Sequence, residues 1–492
     1  MWIRRCQIDA RLEAPLPIPT QIASNEEFIP PPQSLEQKQV EALTLRLAEG
    51  PAKRQGLSRR EFLRTGSGMA AGLVAMNEVF GNCFQVDAAE LKDPQAHREK
   101  WPKDQFIFDV QTHHVDVEPA WYANTPDGQA IVRLLRSFRR EAKDFKGAIE
   151  LLNLDHYIKE VFFDSDTVMS IISGIPTAEW NKNPLPPDRM VATRKHVNDL
   201  AASRRVLSHG LLRPNLGASE LDELERQVKT LKIDAWKMYT GAEIGKNAWW
   251  LDDEKVAYPF WEKTLKLGVR NICVHKGLPL GLLNEEHCHP RDVLKAAKDF
   301  PQLNFILYHS GFRGFTPLRE DEKPSADPQN IPWISEVLKM CNENPGVKNI
   351  YFELGSTFGQ TSAYAPEVCM HMLGQMQLVP NGEDRILWGT DSIWGGSPQS
   401  QIVRLRRLRI KDELIERYHY PQLTDAVKDK IFGLNAAKLF NVDVGAARKA
   451  IKTDKLNAFK REYETAAQPS NTQYGWVWKP ERGRKPTVPI GA

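Results

Sequence analysis

From about residue 105 to 392 the chain alternates short apolar runs with amphipathic stretches, eight times over. The runs are 106–111 (FIFDVQ), 168–173 (VMSIIS), 206–213 (VLSHGLLR), 235–239 (AWKMY), 269–275 (VRNICVH), 304–309 (NFILYH), 349–354 (NIYFEL) and 385–389 (RILWG). Most of each run is apolar without polar alternation, the pattern of strands covered on both faces. Helices are expected over 131–145, 151–161, 188–202, 221–231, 255–267, 291–300, 334–342 and 366–378, then over 401–414 and 424–432. Eight strand–helix units in roughly 290 residues are the arithmetic of a (β/α)8 TIM barrel of the α/β class. A doubly wound open sheet is the competing arrangement. No GxGxxG or GxxxxGK[ST] stands at a strand-to-helix junction, which removes the usual nucleotide-binding reason for it.

Composition narrows the function classes. The 492 residues carry a net charge of +3, so nothing electrostatic points to nucleic acid or a membrane surface. A hydrophobic share of 41% argues against wholesale disorder. Six cysteines without a CxxC spacing exclude a disulfide scaffold and thioredoxin-like or zinc-finger motifs. No uninterrupted apolar run reaches the ~18 residues of a spanning helix.

The first 88 residues stand apart. Residues 1–57, with Pro30-Pro31-Pro32-Gln33, read as poorly ordered, with a short helix near 36–48 as the other reading. Ser58-Arg59-Arg60-Glu61-Phe62-Leu63-Arg64 and the weakly apolar 66–79 resemble a twin-arginine signal, against an N-terminal amphipathic helix as the alternative. Val86-Asp87-Ala88 is a tolerable cleavage site. The expected organisation is a disordered leader over 1–88, a barrel over 89–445 and a helical or irregular extension over 446–492. The leader implies the twin-arginine machinery as a partner and a periplasmic destination. The tail, with Tyr474-Gly475-Trp476 and the basic run 479–485, reads as a surface packed on the barrel or a partner contact.

In such a barrel the reactive groups gather at the C-terminal strand ends. Those ends carry Gln111, His113 and His114 after the first strand, Lys237 and Tyr239 on the fourth, His275 on the fifth, His309 on the sixth and Asp391 after the eighth. Three imidazoles and a carboxylate at four strand ends make a ligand set for Zn²⁺ or a similar divalent ion. His287-Cys288-His289-Pro290 also invites a zinc reading, but no second Cys/His pair stands at ligand spacing, so a loop or lid is expected. Glu353 is expected as a buried, paired carboxylate, and Trp249, Trp250 and Trp394 as pocket walls or loop anchors.

The Asp109-x-Gln111-x-His113 opening resembles the amidohydrolase superfamily, as do Cys273-Val274-His275-Lys276, Leu307-Tyr308-His309-Ser310-Gly311, Leu387-Trp388-Gly389-Thr390-Asp391-Ser392 and the closing stretch 431–440 (IFGLNAAKLF). Within it the chain, from 106 to about 442, is most similar to the amidohydrolase-related branch that includes aminocarboxymuconate-semialdehyde decarboxylase. The resemblance implies metal ligands His113, His275 and Asp391, with Gln111 where the family has the first histidine of His-x-His, and zinc as the expected ion. An amide oxygen is a weaker ligand than imidazole for such an ion, so affinity or metal identity is expected to change. Asp391 is implied as the carboxylate that takes a proton from water, and His309 as the group that steers the water or steadies developing charge. Lys237 matches the strand-four lysine that is carbamylated and bridges two ions in binuclear relatives, and is here expected as a salt-bridged or substrate-anion-binding lysine, with Tyr239 on the same strand face as a substrate-binding residue. The function implied is a metal-dependent hydrolase of esters, lactones or amides of small molecules. The alternatives are a decarboxylase on the same site, and a barrel that lost its chemistry. A homo-oligomer is compatible with all three.

Overall fold

The structure, a computed structural model, describes residues 16–20, 33–93, 95–96, 100, 104–117, 150–177, 180, 183–241, 248–279, 283–314, 327 and 329–465. The helix expected over 131–145, Pro30 to Pro32, Cys6 and the tail with Trp476 lie outside them.

Eight parallel strands run in sequence order around one sheet. They are β1 (Phe108–Thr112), β2 (Met169–Ile172), β3 (Val206–Leu211), β4 (Ala235–Tyr239), β5 (Asn271–His275), β6 (Asn304–Tyr308), β7 (Ile350–Glu353) and β8 (Ile386–Leu387). The N–H of Val110 donates to Trp388 O and that of Asp391 to Gln111 O, each at 2.9 Å, which closes β8 onto β1. The expected barrel is therefore the fold.

Alternate residues of a strand face opposite sides. One set, with Ile171, Leu207, Ala235, Cys273, Ile306 and Leu387, fills the barrel. The other, with Trp236, Ile272, Val274, Phe305, Leu307 and Phe352, packs against the surrounding helices. Both faces are buried, which is why the runs read as continuously apolar. The helix Pro366–Leu378 falls where its sequence places it, with Pro366 at the first turn, where its missing N–H costs nothing. The single helix expected over 401–414 is instead two, Gln399–Arg407 and Asp412–Tyr418. Between them Leu408 is extended and bridges antiparallel to Phe84.

That bridge corrects the reading of the leader as disordered. Residues 35–54 form a 20-residue helix, opened by a capping box in which Ser34 and Gln37 each accept the other's N–H, at 3.2 and 2.9 Å. Its Val40 and Leu43 meet Met69, Leu73 and Met76 of the helix Gly66–Phe80 in the main core, so burial of an apolar face adds to a sequence rich in strong helix formers. The following segment is stitched on by Gln85 N–H to Arg407 O at 2.7 Å and Arg409 N–H to Cys83 O at 2.8 Å. A buried pair, Glu90 with Arg407 at 3.0 Å, completes it. Among the described residues no helix is long and apolar enough to cross a membrane.

The extension also folds. The helices Val444–Thr453 and Lys455–Thr465 follow the barrel, and Asp454 between them grips Arg205, at the foot of β3, through two bonds of 2.6 and 2.9 Å. Both side chains are buried. Removing one partner strands the other charge, so Asp454→Ala is expected to cost about 3–5 kcal/mol, measured as a shift in the urea unfolding midpoint relative to the parent chain.

Candidate functional site

At the open end of the barrel, Asp391 is the hub. It follows β8 with φ +61°, and its Oδ2 accepts the hydroxyl of Ser356 at 2.6 Å. Its Oδ1 accepts the amide of Gln111 at 2.9 Å and lies 3.0 Å from His113 Nε2. Burial alone would raise this carboxyl. With a proton on His113 Nε2, the hydrogen bond and charge of that ring, together with His309 and the Ser356 hydroxyl, overcome that and hold it well below the usual carboxylate range.

Gln111 and His113 are two apart on β1 and face the same side. Asp109, the first residue of that motif, holds the backbone N–H of Gln111 and of Thr390 at 3.1 Å each, and so ties the β1 site residues to the loop that carries Asp391. Burial pushes the Asp109 carboxyl up to about 7. Nδ1 of His113 sits 2.7 Å from the carbonyl of Ser173. A carbonyl only accepts, so Nδ1 carries the hydrogen. Trp394 stacks on the ring at 4.9 Å. His114 points away from the site, bonded to Thr193 at 2.8 Å, as alternation requires.

His275 and His309 lie beside this group as a pair. Nε2 of His309 is 3.0 Å from Nδ1 of His275, and the outer nitrogens face Gly355 O at 2.8 Å and Leu278 O at 3.0 Å. Three hydrogen bonds between two carbonyls need three N–H groups, and two neutral imidazoles supply two. Burial holds both rings down, His309 to about 4 and His275 well below its ordinary value. With each carbonyl taking the N–H that faces it, the neutral pair leaves His309 Nε2 and His275 Nδ1 facing each other across 3.0 Å with a lone pair each.

Glu353 reaches across from β7 and accepts the N–H groups of His309 at 3.0 Å and Gly355 at 2.6 Å, while burial pushes it up to about 8. Lys237 is fully buried, with its ammonium over the Tyr308 ring at 3.8 Å and no hydrogen-bond partner among the described residues. Burial pulls it down to about 8, against the pull of Asp391 and Glu353. Tyr239 stacks on His275 at 4.4 Å.

The structure thus brings Gln111, His113 and Asp391 to one point, sets His275 with His309 next to them, and places Lys237 and Tyr239 on the adjoining wall. Two residues escaped the sequence reading, Ser356 and His209. The loop 283–292 holds no ion site. His287 stacks on Trp250 at 4.2 Å, His289 pairs with Glu336 at 3.0 Å, and Lys276 ties the loop down through His287 O, His289 O and Asp292. Trp249 anchors its loop by donating to Tyr239 O at 3.1 Å.

A family model described as amidohydrolase matches residues 188–442, more than half of the chain, and the chain belongs to that family of metal-dependent enzymes. No curated protein matches it. Solved structures that resemble it include an uncharacterized TIM-barrel protein from Bordetella bronchiseptica, 13% identical over 70% of this chain and 99% of that one, with a TM-score of 0.44. Others are 2,6-dihydroxybenzoate decarboxylase from Rhizobium (17%, 68% and 99%, TM-score 0.37) and 4-oxalomesaconate hydratase from Rhodopseudomonas palustris (17%, 70% and 98%, TM-score 0.39).

The donor set bears on whether a metal fits. Among the described residues no three His, Cys, Asp or Glu side chains converge as ligands. The reason is visible: Gln111 stands where a third such side chain would, and His275 is turned to Leu278 and His309. What does converge suits a cation. His113, with a hydrogen on Nδ1, points Nε2 at the Asp391 oxygen 3.0 Å away, and the Gln111 amide nitrogen lies 2.9 Å from that oxygen and 3.5 Å from Nε2. The point between ring and carboxylate takes either a proton on Nε2, which makes an ion pair, or a metal ion in its place. Gln111 Oε1 is buried without a partner among the described residues, and half a turn of the amide would present it at the same point. His113, Asp391 and Gln111 together fit a divalent ion.

Proposed function

We propose that this barrel is a metal-dependent hydrolase acting on a carbonyl of a small organic substrate, an ester, lactone or amide. The observation that carries it is the facing of His113 Nε2 and Asp391 Oδ1 at 3.0 Å. A divalent ion held by His113, Asp391 and Gln111 would supply Lewis-acid polarisation and make water acidic enough to act near neutral pH. Two oxygen donors to one nitrogen lean towards an oxygen-preferring ion such as Mn²⁺, more than the zinc expected from the sequence.

The chain's own residues do the rest. Asp391 Oδ2 is the atom that accepts the proton of the attacking water, and the Ser356 hydroxyl fixes its direction. Ser173 O holds the His113 ring in one tautomer, and Trp394 covers its face from water. The His309 and His275 pair lines the wall beside the carboxylate and, through the lone pairs it leaves, offers a place that steers the water. Decarboxylation is the second reading, favoured by Lys237, because an unpaired buried ammonium suits a substrate that is itself an acid.

Purified full-length protein, offered a panel of small esters, lactones, amides and carboxylates, tests this. Release of acid supports hydrolysis, release of CO₂ supports the second reading, and neither product with or without added Mn²⁺ or Zn²⁺ overturns both. Metal content gives a further expectation. Gln111→His, which supplies imidazole, should raise the zinc-to-manganese ratio of protein grown with both ions about tenfold, read by elemental analysis. Export through the twin-arginine route to the periplasm is a proposal carried by Arg59-Arg60 and the apolar stretch after them.

A further inference from the structure

Inside the barrel, polar atoms on β1, β3 and β4 are buried with no partner among the described residues: Gln111 Oε1, His209 Nδ1 and Lys237 Nζ. A buried polar atom without a partner is uncommon and asks for a reason. For Gln111 the cation site above supplies one. Lys237 needs another.

Its surroundings are accounted for bond by bond. The Tyr308 hydroxyl donates to Val110 O at 2.6 Å, so towards His209 Nε2, 3.3 Å away, it can only accept. That fixes the hydrogen of His209 on Nε2 and leaves Nδ1 as an acceptor. The two carboxylates whose charge Lys237 feels are Asp391 and Glu353. Asp391 is occupied by Gln111, His113 and Ser356, and Glu353 by the N–H groups of His309 and Gly355. Neither bonds to Lys237, whose ammonium lies over the faces of Tyr308 at 3.8 Å and Tyr239 at 5.2 Å. Aromatic faces attract a cation but accept none of its three N–H bonds in full. A charge kept dry and unpaired, one wall away from a candidate reaction centre, is the arrangement of a site whose counter-ion arrives from outside.

We propose that Lys237 is a substrate-binding residue that takes a carboxylate, and that the natural substrates of this barrel are therefore organic acids. The bond is a charge-assisted N–H···O pair in a water-poor site, with His209 Nδ1 free to accept a hydroxyl or N–H of the same molecule. The inference rests on the enzyme reading for the word substrate, and on nothing in it for the binding itself.

Equilibrium binding separates the two. Calorimetric titration of the full-length protein with acetate, butyrate and benzoate, each against its uncharged amide, reads the subsite without turnover. The acids are expected to bind at least about tenfold more tightly than the amides. Lys237→Met, close in shape and without charge, is expected to erase that difference with metal content unchanged. It should leave the melting temperature equal or higher, since it removes an unpaired buried charge. Amides that bind the wild-type protein as well as the acids overturn the proposal with no variant needed. So does an acid preference that survives Lys237→Met, or a variant whose melting temperature falls by many degrees, which would mark Lys237 as a structural cation. A protein without turnover that still prefers acids through Lys237 loses the enzyme reading and keeps the subsite.

Discussion

Asp391→Asn is expected to lower turnover by about 10²–10⁴-fold, the range for loss of a positioned proton acceptor. Asparagine matches the shape, so Ser356 can still donate to the remaining oxygen, and the melting temperature should change little. What disappears is the negative charge that faces His113 Nε2 at 3.0 Å and that makes this point attractive to a cation. The same variant should therefore retain much less divalent metal after dialysis, measured by elemental analysis alongside the rate on whichever panel substrate the wild-type protein converts. Unchanged turnover would place the chemistry elsewhere in the barrel. Ser356→Ala makes a graded comparison, since it removes one neutral donor and leaves the charge.

Gly389→Ala should have the largest effect on stability for its size. A Cβ there would lie 1.5 Å from Glu353 Oε1, an overlap that cannot be relieved by small adjustments. Glu353 would have to leave, and the N–H groups of His309 and Gly355 would lose their acceptor deep in the barrel. Two stranded buried donors at about 1–3 kcal/mol each, with the strain of overpacking, give about 3 kcal/mol or more. Thermal and urea unfolding measure it. A variant as stable as the parent would mean that Glu353 has room to move, contrary to the contacts described. Gly355 faces a similar limit, with Gln111 Oε1 at 2.2 Å from its hypothetical Cβ.

Much of the frame was legible. β4 and the helix Pro366–Leu378 lie residue for residue where their patterns place them, because an apolar run set off by charged residues and a proline at the first turn are local signals. Strand ends were less sharp. β6 stops at Tyr308, since the chain turns through positive φ at His309 and Ser310, and β8 stops at Leu387, short of Asp391, whose positive φ brings that side chain to the site. Local sequence carries no sign of that turn, yet the residues it serves were legible as polar groups closing apolar runs. Ser356 was not. It is one serine in a short loop, and only closure of β7 and β8 brings it to Asp391. His209 left a fainter trace, a polar residue inside VLSHGL one strand before Lys237, and strand register with β4 would have exposed it. Ring directions were beyond reach altogether. Whether His275 turns to Asp391 or to Leu278 depends on carbonyls that no motif encodes.

The stitching of the 83–90 segment onto Arg407, Leu408 and Arg409 has a consequence in time. Gln85 and Arg407 are 322 residues apart, and at ribosomal speeds of about 5–20 residues per second that distance is roughly 16–65 s of synthesis. The helices Leu35–Arg54 and Gly66–Phe80 can find each other at once, but the surface that takes their remaining apolar side does not yet exist. Through that interval an apolar helix pair waits at the front of a nascent chain, with Arg59-Arg60 beside it, open to any chaperone or carrier that recognises such a segment. Emergence of the helix after β8 ends the wait, so the last quarter of the barrel determines when its first helices come to rest.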